Sequence, residues 1–151
     1  MKNNKGFSLV ELIIVIAIMA VLVGVLAPTY LQYVEKSKKS NDVSTVDSVI
    51  NALEIAAIDP EVNSETWNSI TVEIGTGGMT VTADPETAKI ATAFKDIAGT
   101  DVKFKSSKWG SNQNVQIKAT NQSNGKITLT YGNAGGETSF KAYATSLTKI
   151  S

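Results

Sequence analysis

The sequence predicts an α+β fold: one long N-terminal helix packed on an antiparallel β-meander. Three features predict it. The chain opens with a long apolar run, a helical stripe continues far beyond that run, and the second half consists of short period-two segments separated by glycine turns.

The apolar run reads Phe7-Ser8-Leu9-Val10-Glu11-Leu12-Ile13-Ile14-Val15-Ile16 and stays apolar through Ala27. Residues 7–28 are enough for a membrane span, which needs about 20. Glu11 is the one carboxylate in the run. An acidic residue at the centre of a span costs about 2.5–3.5 kcal/mol, so its retention points to a functional role with a positive partner. Before the run lies Met1-Lys2-Asn3-Asn4-Lys5-Gly6, which is short, polar and basic. A cut after Gly6 would make Phe7 the new N-terminus, with a free ammonium one helical turn from Glu11. Two such helices offset along their axes could set the carboxylate of one against the ammonium of the other. An unpaired buried charge costs several kcal/mol, so that pairing would be strongly favoured.

Helical character continues past the run. Val43, Val46, Ile50, Leu53 and Ala57 recur at helical spacing and form one stripe. The connecting residues Glu35 to Asp42 are polar and helix-compatible. The reading is a single helix from Ser8 to Ile58, on the order of 75 Å long at 1.5 Å per residue. Asp59-Pro60 ends it, because the residue before proline is pushed out of the α region. A domain of under about 100 residues cannot cover such a helix along its whole length. Its first half needs another solvent, first lipid and then other copies of itself. Within it, Pro28 deletes the hydrogen bond to the Gly24 carbonyl at a cost of roughly 3 kcal/mol, and Gly24 has low helix propensity. Gly24 and Pro28 therefore mark a weak point, either a fixed kink or a segment that bends or melts.

After Glu61 the period changes. Ile70, Val72 and Ile74 alternate with polar residues, Gly75-Thr76-Gly77-Gly78 turns the chain, and Met79 and Val81 suggest a second strand. Asp84-Pro85 reads as an N-cap and first helical position. Ile90, Phe94 and Ile97 give that helix its stripe and Gly99 its end. Strands follow at Val102-Phe104, Val115-Ile117-Ala119, Ile127-Leu129-Tyr131 and Phe140-Ala142-Ala144, with turns at Asn124-Gly125 and Gly135-Gly136. Trp67 and Trp109 read as core or subunit contacts.

Composition excludes much chemistry. There is no cysteine and no histidine among the 151 residues. That removes disulfides, thiol nucleophiles, the usual general base and the commonest metal ligand. No catalytic residue, metal site or cofactor is expected, and the chain is not expected to be an enzyme. Asp59, Glu61 and Glu65 match no calcium-loop spacing, and the glycines at 75–78 lack the lysine of a phosphate loop. Net charge is zero but segregated: residues 40–101 hold eleven acidic residues and two lysines, whereas residues 102–151 hold seven lysines and one acid. Complementary faces between stacked subunits, a basic surface for polyanions such as DNA, and a merely solvated surface all fit this pattern. The absence of arginine weakens specific nucleic-acid readout.

Lys5-Gly6-Phe7-Ser8-Leu9-Val10-Glu11-Leu12 closely resembles the processing site of type IV pilins and pseudopilins, which have glycine before the cut, phenylalanine after it and glutamate five residues in. Pro28, Tyr30 and Tyr33 extend the resemblance to roughly the first 35 residues. It implies a ladle-shaped subunit, a prepilin peptidase that cuts between Gly6 and Phe7 and methylates the Phe7 amine, and assembly directed by Phe7 and Glu11. It also implies a pilus assembly ATPase and an inner-membrane platform protein as partners. The lack of cysteine departs from many Gram-negative pilins and suggests a Gram-positive type.

The resulting organisation is a leader peptide at 1–6, a hydrophobic transmembrane and filament-core helix at 7–34, and a globular domain at 35–151. The last divides into an amphipathic helix half (35–58), a loop region with short strands and a helix (59–101) and an antiparallel sheet (102–151). The expected function is that of a homo-oligomeric helical filament for adhesion, motility or surface colonisation. The chain would span the membrane once before assembly, with Lys2 and Lys5 cytoplasmic, and lie outside the cell afterwards. A pseudopilin of a secretion or DNA-uptake machine, a plain membrane anchor and a cleaved secretory signal stay open as alternatives.

Overall fold

The computed structural model describes residues 6–109, 114–122 and 126–133. Helix α1 runs Leu9–Ala57 without interruption, with Pro28 inside it. The chain forms two compact units, Met1–Ser37 and Lys38–Ser151, and α1 contributes to both. In the second unit α1 is followed by a short helix α2 (Pro60–Asn63), strands β1 (Ser69–Gly75) and β2 (Gly78–Asp84), helix α3 (Lys89–Ala98), and strands β3 (Val115–Gln122) and β4 (Lys126–Asn133).

The strands form one antiparallel sheet in the order β2-β1-β3-β4 among the described residues. Two antiparallel pairs, β1–β2 and β3–β4, are joined through β1 and β3, with α3 between them in chain order. Register puts like with like: Val81, Val72 and Ile117 share one rung, and Ala83, Ile70, Ala119 and Leu129 the next. Period-two alternation then turns Ile70, Val72, Ile74, Val115, Ile117 and Ala119 to one face, where all are buried. Thr71, Glu73, Gln116 and Lys118 occupy the opposite parity. Gly75 and Gly78 close the first hairpin around Thr76-Gly77. Gly78 has φ +127°, a conformation that favours glycine, and a Cβ at Gly75 would push the Asn114 side chain from its place.

The sheet's apolar face, α3 and the second half of α1 share one core with Phe94, Trp109, Leu53 and Val46 at its centre. The stripe of α1 is rotated from the expected one. Val46, Leu53 and Ala57 are buried as expected, but Val43 and Ile50 are only half-buried, while Val49, Ala52, Ala56 and Asp42 are buried. The rotation follows from Asp42, which is fully buried. Its Oδ1 accepts from the Lys105 N–H at 2.7 Å, and its Oδ2 from the Ser106 N–H at 2.9 Å and the Trp109 Nε1–H at 2.8 Å. Trp109 packs at a tilt against Phe104, with centroids 6.4 Å apart, and the Lys39 ammonium lies 4.9 Å from the Trp109 ring centroid.

That clamp also explains why Val102-Phe104 forms no strand. Phe104 is buried and its N–H bonds the Gly75 carbonyl at 3.0 Å, while the next two N–H groups go to Asp42. Donors that would build a ladder are thus committed to a helix side chain. Asp84-Pro85 likewise does not start a helix. Asp84 is the last residue of β2, its carbonyl accepts from the Asn68 N–H at 2.7 Å, and α3 begins later, at Lys89. The Lys89 N–H at the start of α3 is met from a distance by Glu65 Oε2 at 3.3 Å, and Glu65 Oε1 pairs with Lys89 Nζ at 3.1 Å. Ile90 and Phe94 of α3 are buried, but Ile97 is exposed. Gly99 ends the helix with a positive φ of 77°, as expected of a glycine stop. Both tryptophans are core residues. The expected strand at Phe140-Ala142-Ala144 and the turns at Asn124-Gly125 and Gly135-Gly136 lie outside the described residues.

Replacing Asp42 by Ala leaves three N–H donors without their acceptor in a buried site, and each such donor costs about 1–3 kcal/mol. The expected loss is about 3 kcal/mol or more, read by urea unfolding of the detergent-solubilised chain through tryptophan fluorescence. The Glu65–Lys89 pair is solvent-exposed and titrates at both ends. Hydrogen bonds from Lys89 hold the Glu65 carboxyl below its ordinary value of 4.5, and Glu65 raises Lys89 above 10.5. The carboxylate contribution is therefore complete above about pH 4.5 and lost as pH falls through the lowered value. The ammonium contribution is present below about pH 10.5 and lost as pH rises through the raised one. The Lys89 amide resonance should stay constant between these limits and move only outside them, and Glu65→Gln should abolish the acid limb.

Candidate functional site

The site is the first turn of α1 and the apolar surface behind it. Ser8 is the residue before the helix. Its Oγ accepts from the Val10 N–H at 3.3 Å, and Glu11 Oε2 accepts in return from the Ser8 N–H at 2.8 Å. Helix N-termini leave four N–H groups without partners, and this reciprocal pair is a capping box that satisfies backbone donors at the helix start. Its signal is present in the sequence as Ser-x-x-Glu ahead of an apolar run. A lone carboxylate in such a run reads first as an ion, and the cap is its second use. Glu11 thus faces its own N-terminus, close to Phe7, which is 94% exposed. Gly6 precedes it, also exposed.

Beyond this turn every large apolar side chain is exposed, from Leu9 through Val15, Leu22 and Leu26 to Tyr33. Among the described residues α1 alone is long and apolar enough to cross a membrane, and its most apolar window has no residue buried against the rest of the chain. Gly24 lies in this stretch, and a Cβ there would meet nothing within 4 Å. Its smallness is therefore not required by packing within the chain. Pro28 sits one turn later, and the helix continues through both. The geometry brings Phe7, Ser8 and Glu11 together at one end of the helix and leaves Gly24 and Pro28 several turns away. No group of three or more potential metal-binding side chains occurs among the described residues.

Comparison with known proteins points the same way. Residues 1–27 match the prokaryotic N-terminal methylation motif. The chain is 35% identical over 77 residues to a fimbrial protein of Pseudomonas aeruginosa, covering 50% of each chain. It is 30% identical over 78 residues to the type IV major fimbrial protein FimA of Dichelobacter nodosus, again over 50% of each. Its N-terminal half is similar to that of type IV fimbrial proteins. The similarity to fimbrial protein Q of Moraxella bovis is 36% over 59 residues, or 39% of this chain and 38% of that one. The matched stretches span about half the length of these curated relatives or less. No solved structure matches the chain. The methylation motif with its apolar helix fits a membrane-anchored pilin precursor, and the long helix with a four-stranded antiparallel sheet fits the α+β pilin-like fold.

Removing the cap should loosen only the helix start. Ser8→Ala is expected to cost about 1 kcal/mol, seen as faster amide exchange at residues 8–11 in detergent with unchanged exchange at Val46 and Leu53.

Proposed function

We propose that this chain is the structural subunit of an extracellular type IV pilus, a filament for adhesion, motility or surface colonisation. It performs no catalysis. The precursor crosses the membrane once, a prepilin peptidase cuts between Gly6 and Phe7 and the Phe7 amine is methylated. An assembly ATPase and an inner-membrane platform protein then transfer residues 7–34 from lipid into the filament core. The observation that carries this reading is the exposed apolar first half of α1 with Glu11 at its head, inside a methylation motif. In the precursor Glu11 holds its own Ser8 N–H. In the filament its charge meets the Phe7 ammonium of another copy, which removes two unpaired ions from an apolar core. The weak segment at Gly24 and Pro28 lets the helix bend or melt as copies pack.

Glu11 has two roles, and two substitutions separate them. Gln can still accept the Ser8 N–H but carries no charge, whereas Ala does neither. Both Glu11→Gln and Glu11→Ala are expected to abolish fibres while leaving the globular unit folded. Fibres from the Gln variant at normal yield would reduce Glu11 to a cap. Mass spectrometry of native fibres should find methylated Phe7 as the first residue. Polymer that keeps residues 1–6 would overturn the reading.

A further inference from the structure

The globular unit sorts its charge along α1. At one level stand Lys38 and Lys39 of the helix together with Lys105 and Lys108 of the loop that Asp42 ties down. Lys38, Lys105 and Lys108 are exposed. Fifteen residues separate Asp42 from Ala57, about 22 Å of helix. Two clefts of about 390 Å³ each adjoin at Ile97, one running along α1 from Thr45 to Ile55 and the other lying at that far end. One is apolar, with Ile55, Ile97 and Val102 in its wall. The other carries Asp59, Glu61 and Asp96. Its one lysine, Lys89, is already paired with Glu65. Lys95 lines neither cleft. Ile55, Ile58 and Ile97 are the large apolar side chains left exposed among the described residues of this unit, at 52%, 67% and 43%.

We propose that the acidic cleft of Asp59, Glu61 and Asp96 receives the lysine-bearing end of a second copy of the chain, so that globular units stack head to tail. The inference rests on the polymer reading above. Its warrant is charge complementarity. Bringing two acidic ends or two basic ends together is repulsive, so a symmetric pair is disfavoured, whereas basic end on acidic end is attractive and steers encounter. Such a contact joins different patches on the two copies, and where its rotation does not close a ring it propagates a filament. It also covers the isoleucines around the cleft. The apolar N-terminal helices hold the polymer together, and this contact sets which faces of neighbouring heads meet.

The test uses the full chain in cells that assemble it, with sheared fibres quantified against equal precursor levels. One variant carries Glu61→Lys and Asp96→Lys, which spares the Asp59 helix cap. Another carries Lys38→Glu, Lys105→Glu and Lys108→Glu, and a third combines all five. Each reversal alone should lower fibre yield at least about tenfold, and the combination should restore it to within about threefold of wild type. Because the chain has no cysteine, Asp96→Cys with Lys108→Cys gives a second readout that does not depend on charge reversal. The double variant should form a disulfide-linked ladder of copies on non-reducing gels, and neither single variant should. Wild-type yield from both reversals, or no ladder from assembled double-cysteine fibres, overturns the inference while leaving the polymer reading intact. A wild-type chain that makes no fibres overturns both. Lysine reversal that spares fibres but abolishes retention of duplex DNA assigns the basic end to nucleic acid and overturns it as well.

Discussion

The first half of α1 presents leucine, isoleucine and valine on all its sides, and the described chain offers nothing to cover them. Burying one such side chain is worth about 1.5–3 kcal/mol, so leaving the run in water costs on the order of tens of kcal/mol. The chain therefore needs an apolar environment from outside itself, and the helix can meet that need in two ways: in lipid as a monomer, and among other helices as a polymer. Glu11 distinguishes the two. In lipid its carboxylate is a cost that the Ser8 N–H moderates. In the proposed filament, the free ammonium ends of other helices would turn it into an attraction.

The second half of α1 has the opposite problem, since it must attach a long helix to a small sheet in one orientation. Apolar burial is non-directional and would tolerate rotation about the helix axis. Asp42 removes that freedom. Its two oxygens meet two successive backbone N–H groups and an indole N–H, so only one rotation satisfies all three donors. Any other would leave buried polar groups unpaired. The same contact fixes the loop that carries Lys105 and Lys108, so the placement of surface charge is a by-product of the helix anchor.

Much of this was legible in the order of residues. The hairpin at Gly75–Gly78, the strand that alternates through Ile70, Val72 and Ile74, the strand at Val115, Ile117 and Ala119, the helix end at Gly99 and the extent of α1 all follow from local period and turn chemistry. The failures have a common cause. Val102-Phe104 alternates like a strand, Asp84-Pro85 looks like a helix start, and Val43 and Ile50 fit the stripe. In each case a partner distant in sequence took over: Asp42 and Gly75 for the loop, Asn68 for Asp84, and again Asp42 for the rotation of α1. At the site, the apolar run and the position of Glu11 near its start could be read directly, whereas the Ser8–Glu11 cap was missed although Ser-x-x-Glu carries its signal.

Local pattern thus suffices for the apolar helix, its single carboxylate, the N-terminal methylation motif and the strand periods, because each depends on residues within a few positions of one another. Which face of α1 enters the core, why residues 102–104 stay a loop, and where acidic and basic side chains end up depend on hydrogen bonds that close over 63 to 67 residues. A polar side chain gives no local sign that it will be buried. Its burial becomes favourable only when the fold delivers donors to it, and that delivery is a property of the packed chain.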